Sequence, residues 1–364
     1  MSVWKTLLAC GFLAAALPAG AAEQHLLYAA SPGIRNYVEY GGVGIVVFDL
    51  DHDYRFLRRI PTWNVAPGAE PENVKGIAAS ARTGIVYVST LKRLAAFDAV
   101  SGRKLWDNAY EGGCDRMALS PDGAVLFVPA FEGPHWTVVD AATGKVMAKI
   151  QTGSGSHNTI YAPDGSRVYL AGLRSNLLSI ADPKTNTVIG TVGPFAAPIR
   201  PFTVNGSNTL CFVNVNGLLG FEVGDIRTGK RLASVRFAGF QDGPVKRHGC
   251  PSHGIALSPD ERELWVADGP NNYIHVFDAT VMPPKQKQNI KVRDLPGWIT
   301  FSIDGRRVFS STGEVIDART KRIVASLKDE AGREFQSEKV VELVLDGNKV
   351  VRAGDQFGIG SKHP

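Results

Sequence analysis

The stretch that decides the fold reads Met117-Ala118-Leu119-Ser120-Pro121-Asp122-Gly123, Val125-Leu126-Phe127-Val128, Trp136-Thr137-Val138-Val139-Asp140 and Ala141-Ala142-Thr143-Gly144-Lys145-Val146. Short β-branched and aromatic runs alternate with Pro-Asp-Gly and Thr-Gly-Lys, which are turn signals, so the unit predicts consecutive antiparallel strands. The next unit repeats it with Ala162-Pro163-Asp164-Gly165, Val168-Tyr169-Leu170, Leu178-Ser179-Ile180-Ala181-Asp182 and Pro183-Lys184-Thr185-Asn186. Further copies surround Ser258-Pro259-Asp260 with Leu264-Trp265-Val266-Ala267, and Asp304-Gly305 with Val308-Phe309. An Asp closes the third strand of each unit at Asp49, Asp98, Asp140, Asp182, Asp225, Asp278 and Asp317. These positions fall about 40 to 50 residues apart, the period of a four-stranded propeller blade.

The expected fold is therefore all-β, a seven-bladed β-propeller of four-stranded blades. A ring must close or leave bare edges. The N-terminal unit has strands at Leu26-Leu27-Tyr28, Ile45 to Phe48 and Phe56 to Ile60 but none before them, while Val340 to Gly347 is a spare first strand. That segment is predicted to complete the first blade, so the two termini close it together. Val350-Val351-Arg352-Ala353 has no place in this scheme, which leaves an eighth blade or a terminal extension open.

Residues 1–22 read as a signal peptide: Lys5, an apolar run from Leu7 to Leu17, then Pro18 and small residues up to Ala22. Residues 23–364 form one propeller domain on this reading, periplasmic or secreted and monomeric. No later stretch approaches the ~20 apolar residues of a membrane span. A net charge of +5, with Lys and Arg dispersed among acidic residues, excludes a nucleic-acid footprint. The mild excess at Lys285 to Arg293 reads as a solvated loop. Beyond the leader, Cys114, Cys211 and Cys250 remain; Cys211 reads as a buried small hydrophobe, and Cys114 with Cys250 as the plausible disulfide pair.

Ser120-Pro121-Asp122-Gly123 and its kin, Val86-Tyr87-Val88, Val168-Tyr169-Leu170, Leu264-Trp265-Val266 and the Asp-x-x-Thr-Gly-Lys turn at Asp140, with its counterpart at Asp225, resemble the YVTN-repeat, YncE-like exported propellers. The resemblance spans nearly all of the mature chain. It implies the fold and export; it does not choose among the many functions such propellers carry.

One face of the disc is built from near-identical turns that turn geometry alone explains. The other carries long, dissimilar links: Ser31 to Val43, Asp107 to Asp115, Gly193 to Arg200, Ala238 to Ser252 and Met282 to Gly297. Variable loops on a rigid scaffold are where binding and catalysis usually sit. At the heads of the first strands on that face stand Asp115-Arg116, His157-Asn158, His253-Gly254 and Gly297-Trp298, with Arg200 and Lys75 close to equivalent places. Strict strand alternation lets only one residue of each pair face the axis. The candidate ligand-binding residues are Asp115, Arg116, His157, Asn158, Arg200, His248, His253 and Trp298. His157 and His253 read equally as strand caps bonded to water, as acid–base groups, or as metal ligands.

No Cys and His spacing fits a zinc site, so no metal is assigned, and no cofactor is identified. Ser252-His253 lacks a Gly-x-Ser-x-Gly elbow, and Gly153-Ser154-Gly155-Ser156 precedes a strand rather than a phosphate-binding helix. Gly102-Arg103-Lys104-Leu105-Trp106 resembles a quinoprotein blade repeat but occurs once. The leading expectation is a non-catalytic exported propeller binding a small molecule or a periplasmic protein partner at the channel mouth. The alternatives are a lactonase-like hydrolase using channel-mouth His, Arg and Asp, and an accessory subunit of a periplasmic quinoprotein system.

Overall fold

The computed structural model describes residues 23–360; the stretch read as a signal peptide lies outside the described residues. Seven antiparallel sheets follow one another along the chain. In blades 2 to 7 each is a four-stranded meander in sequence order. The first strands touch their counterparts in the next blade, from Val74–Ser80 through Ala118–Leu119, Ser156–Tyr161, Ile199–Val204 and Ser252–Leu257 to Ile299–Phe301. They form the wall of the central channel.

The ring closes as the sequence requires. Val340–Asp346 pairs antiparallel with Gln24–Ser31, setting Val341 opposite Tyr28 and Leu343 opposite Leu26. Phe335 and Val340 then pack with Phe48 of blade 1 and Phe309 and Val315 of blade 7, sealing the joint with apolar surface. Complete burial of a large apolar side chain is worth about 1.5–3 kcal/mol, so the seam is held by packing as well as by the strand ladder.

Four strands per blade is too few for blade 1. Lys349–Ala353, the stretch left without a place, pairs with the free side of Val340–Asp346 and makes a fifth, channel-side strand. The Asp346-Gly347 turn makes this hairpin the shortest route for the chain. No eighth blade exists among the described residues. The following residues enter the channel and bond to its walls. The Gln356 side chain accepts from Ile77 N (3.2 Å) and donates to Met117 O (3.0 Å), and its carbonyl accepts from Trp298 Nε1 (2.6 Å). Gly358 O accepts from Leu257 N and from Thr203 Oγ1, each at 2.9 Å. The tail is a plug.

The recurrent Asp caps the turn after the third strand. Asp140 Oδ1 accepts from Thr143 N and Oγ1, and Asp317 Oδ1 does the same for Thr320. In the Ser-Pro-Asp turns the serine hydroxyl meets the aspartate at 2.6 Å in Ser120–Asp122 and Ser258–Asp260. These residues are consumed by local geometry, as expected of the regular face.

Two sequence expectations fail. Lys285–Lys291 is the outer strand of blade 6, not a loop; as an outermost strand it exposes most of its residues to water, so its lysines give it a loop-like composition. All three described cysteines are free thiols. Cys114 is buried between blades 2 and 3 against Tyr87, Met117 and Val128. The Cys250 thiol instead donates to Ser252 O at 2.9 Å.

Candidate functional site

The channel has a cavity at each mouth. The regular face holds the larger, about 580 Å³, walled mostly by small and apolar groups such as Ile77, Ala79, Ala162, Phe301 and Ile359, with the tail as its floor. The irregular face holds a cavity of about 290 Å³ lined by all eight residues singled out in the sequence. Chemistry rather than size makes the second the candidate.

Both members of two strand-head pairs, Asp115-Arg116 and His157-Asn158, reach this cavity, against the expectation of one; of the other two pairs only His253 and Trp298 line it. Pairing registers slip at these heads, between Ser156 and Asn158, between Val74 and Gly76, and between Ser252 and Ile255. A bulge breaks strict alternation and re-aims the side chain beside it. Asp115 and Arg116 precede their strand altogether, which begins at Ala118.

Asp115 and His157 form a buried pair across blades 3 and 4, Oδ2 to Nδ1 at 2.5 Å, with Lys75 Nζ 3.4 Å from the other carboxylate oxygen. Burial alone would raise the Asp115 pKa, but His157, Lys75 and Arg116 outweigh it and hold the carboxyl below its usual range. Burial pushes His157 down despite its carboxylate partner. The pair is therefore an anion beside a neutral imidazole near pH 7.

Arg116 crosses the channel and lays its guanidinium on the Trp298 ring, 3.3 Å from the centroid. Such a cation–π contact gains strength when desolvated, and Arg116 is only 4% exposed. Trp298 is fixed in turn by its indole bond to the tail. Arg200 is tethered, Nε donating to Asn216 Oδ1 at 2.5 Å and Nη2 to Gly249 O at 3.2 Å.

The sequence reading missed the centre of the site. Glu338 and Lys339 stand at the head of the closing strand, and both are buried. Lys339 Nζ reaches Glu338 Oε2 and Gly33 O, each at 2.8 Å, and Arg116 Nη2 lies 3.7 Å from the same carboxylate oxygen. Burial would raise the Glu338 pKa, yet Lys339, His248, His253 and Arg116 draw it well below the usual range. Burial lowers Lys339 to about 8. Counting back from Asp346-Gly347 by the register that gave Asp115, His157 and His253 lands on Lys339, with Glu338 immediately before it.

His248 and His253 stack with ring centroids 4.5 Å apart. His248 Nδ1 is 3.2 Å from Glu338 Oε1, and His253 Nδ1 bonds Gly297 O at 2.7 Å. Their ring nitrogens and the Glu338 carboxylate form the cluster of His and acidic groups at this mouth with one donor atom each inside 4.8 Å.

Two side chains of the cavity wall carry buried polar atoms with no partner in the described protein. Arg116 Nη1 and both amide atoms of Asn158 are buried and have no hydrogen-bond partner within the described residues. The lining carries Arg35, Lys75, Arg116, Arg200, Arg247 and Lys339 against Asp115, Glu132 and Glu338. The cavity is cationic.

The fold and this site define the class: a seven-bladed β-propeller with a plugged channel and a polar, cation-rich pocket at its irregular mouth. No family model and no curated protein matches the chain. Among solved structures, a chain of the Kuenenia stuttgartiensis hydrazine synthase aligns over 72% of this chain and 98% of its own, with 12% identity and a TM-score of 0.46.

Proposed function

We propose that this protein is an exported, YVTN-type propeller whose irregular channel mouth binds a small anionic molecule. One observation carries the reading: Arg116 and Asn158, in the wall of a cavity with excess positive charge, carry buried hydrogen-bonding atoms without a partner. A buried polar atom left without a partner costs about 1–3 kcal/mol. A ligand carboxylate would take the free Arg116 nitrogen and the Asn158 amide nitrogen while Lys75 and Lys339 balance its charge. Arginine suits carboxylate because its donors lie in a plane, and Trp298 holds that plane.

Isothermal titration of EDTA-treated protein with succinate, citrate, oxalate, inorganic phosphate and neutral γ-butyrolactone tests it. A carboxylate is expected to bind and the lactone not. Arg116→Met is expected to weaken binding by about tenfold or more, the scale of one charge-assisted bond. Asn158→Leu, close in shape, is expected to abolish the same affinity while leaving the melting temperature level or higher, because it removes the unpartnered amide. Binding unchanged in both variants would refute the reading.

The Asp115–His157 pair favours a second reading, hydrolysis of a lactone or ester with His157 as general base, since a carboxylate on Nδ1 leaves Nε2 to accept a proton. Turnover of lactones that vanishes in His157→Ala would establish it; wild-type protein without turnover across a lactone panel would leave binding alone.

A further inference from the structure

We propose that His248, His253 and Glu338 hold a divalent first-row transition ion, zinc being the simplest case, in the wall of the irregular channel mouth. This goes beyond anion binding and does not rest on it.

The protons on the two imidazoles do not balance without an ion. His253 Nδ1 lies 2.7 Å from Gly297 O, so it carries the proton and Nε2 is left with a lone pair. His248 faces two acceptors, Leu295 O at 3.3 Å from Nε2 and Glu338 Oε1 at 3.2 Å from Nδ1. A neutral imidazole has one proton and cannot donate to both. Doubly protonating His248 would satisfy both acceptors, but it puts a buried cation against the stacked His253 ring, 4.5 Å away, with Arg247 and Lys339 close by. An ion shared by His248 Nδ1, His253 Nε2 and Glu338 Oε1 satisfies every group. Each imidazole then keeps its N–H on a backbone carbonyl, the usual outer support of a metal-bound histidine.

The three side chains are near enough to close on an ion. One ring nitrogen of each histidine and one Glu338 oxygen lie within 4.8 Å of one another. Donors on one tetrahedral ion at about 2.0–2.2 Å stand about 3.3–3.6 Å apart, so loading draws the three together by up to about 1 Å and turns the two stacked rings toward the ion. Lys339 and Arg116 occupy the far oxygen, Oε2, which keeps Glu338 ionised and leaves Oε1 to the ion. Two imidazoles and a carboxylate suit zinc, iron, manganese or nickel, and leave coordination positions open.

The ion would bridge the head of the closing blade-1 strand to blade 6, so its binding has a stability readout apart from any activity. EDTA-treated full-length protein is titrated with zinc sulfate and, separately, with cobalt chloride followed by visible absorption. One ion per chain is expected, with a d–d band for cobalt and a melting temperature that rises with ion concentration. His253→Ala and Glu338→Gln are expected to lose about 100-fold or more in zinc affinity. Zinc-edge X-ray absorption on the unmodified chain, expected to show two imidazoles and oxygen, decides the matter if a variant fails to fold. No uptake, uptake unchanged in both variants, or an edge showing thiolate would overturn the proposal. Because anion titration uses the metal-free chain, either proposal can fail without the other.

Discussion

Lys339 sets the electrostatics of the cavity at the scale of one residue. Its ammonium is buried beside Glu338, and burial lowers its pKa to about 8 from the ordinary 10.5. Arg116 is also lowered by burial, to about 10, so it stays charged through neutral and mildly alkaline pH. Raising the pH through about 8 therefore strips one positive charge from the wall and leaves Glu338 less compensated. Carboxylate affinity is expected to fall between pH 7 and 9, and Lys339→Met is expected to show weak binding with no step there; titration calorimetry across that range checks both. Folding stability responds with the opposite sign. The unfolded lysine binds its proton more tightly than the folded one, so this group's contribution to stability rises between about pH 8 and 10.5. A native-like affinity that is flat with pH in the unmodified protein would place the Lys339 charge outside the binding event.

At the scale of the strand, the site depends on irregularity at one end of otherwise regular elements. The bulges at the heads of the first strands let His157 and Asn158 share the cavity. Close approach does the rest: a Cβ on Gly254 would stand 2.6 Å from Trp298 Cα and 3.0 Å from its N and C atoms. Glycine at 254 therefore lets blades 6 and 7 come together and brings Trp298 under Arg116. Gly254→Ala is expected to cost about 1–3 kcal/mol, the usual penalty for overfilling a packed joint. It should also change the tryptophan emission as Trp298 moves. Chemical denaturation followed by fluorescence measures both, and an unchanged midpoint would mean that the backbone yields more readily than its packing implies.

Across the whole molecule, the C-terminal segment closes the ring and then blocks it. Val340–Asp346 and Lys349–Ala353 complete blade 1, and Gln356 ties blades 2, 3 and 7 together across the axis. Replacing Gln356 by Ala leaves Ile77 N and Met117 O without their buried partner, at about 1–3 kcal/mol for each group stranded. A lower melting temperature with intact carboxylate binding is expected, because the backbone carbonyl that holds the Trp298 indole survives. Deleting the chain from Gly354 onward removes that carbonyl as well and is expected to weaken binding at the far mouth. Calorimetry of the two variants side by side separates the effects. Equal affinity in the deletion would show that Trp298 holds its place without the plug.

The sequence by itself determined the blade count, the closing strand and the face that carries the candidate site. Each rests on local order: turn residues at fixed offsets, and runs that must alternate or be buried. It also picked out eight of the residues that line the cavity, because one register repeated around a ring predicts one mouth; Glu338 and Lys339 were not among them. Tertiary structure alone decided which of those residues touch. Arg116 meets Trp298 from blades far apart in sequence, and Glu338 joins His248 and His253 only once the ring has closed. It also decided the path of the last strand and tail, since Val350 to Ala353 carry a strand pattern with no partner written beside it. Strand alternation failed at the channel mouth because bulges form where seven blades crowd one axis, and nothing local in the chain encodes that crowding.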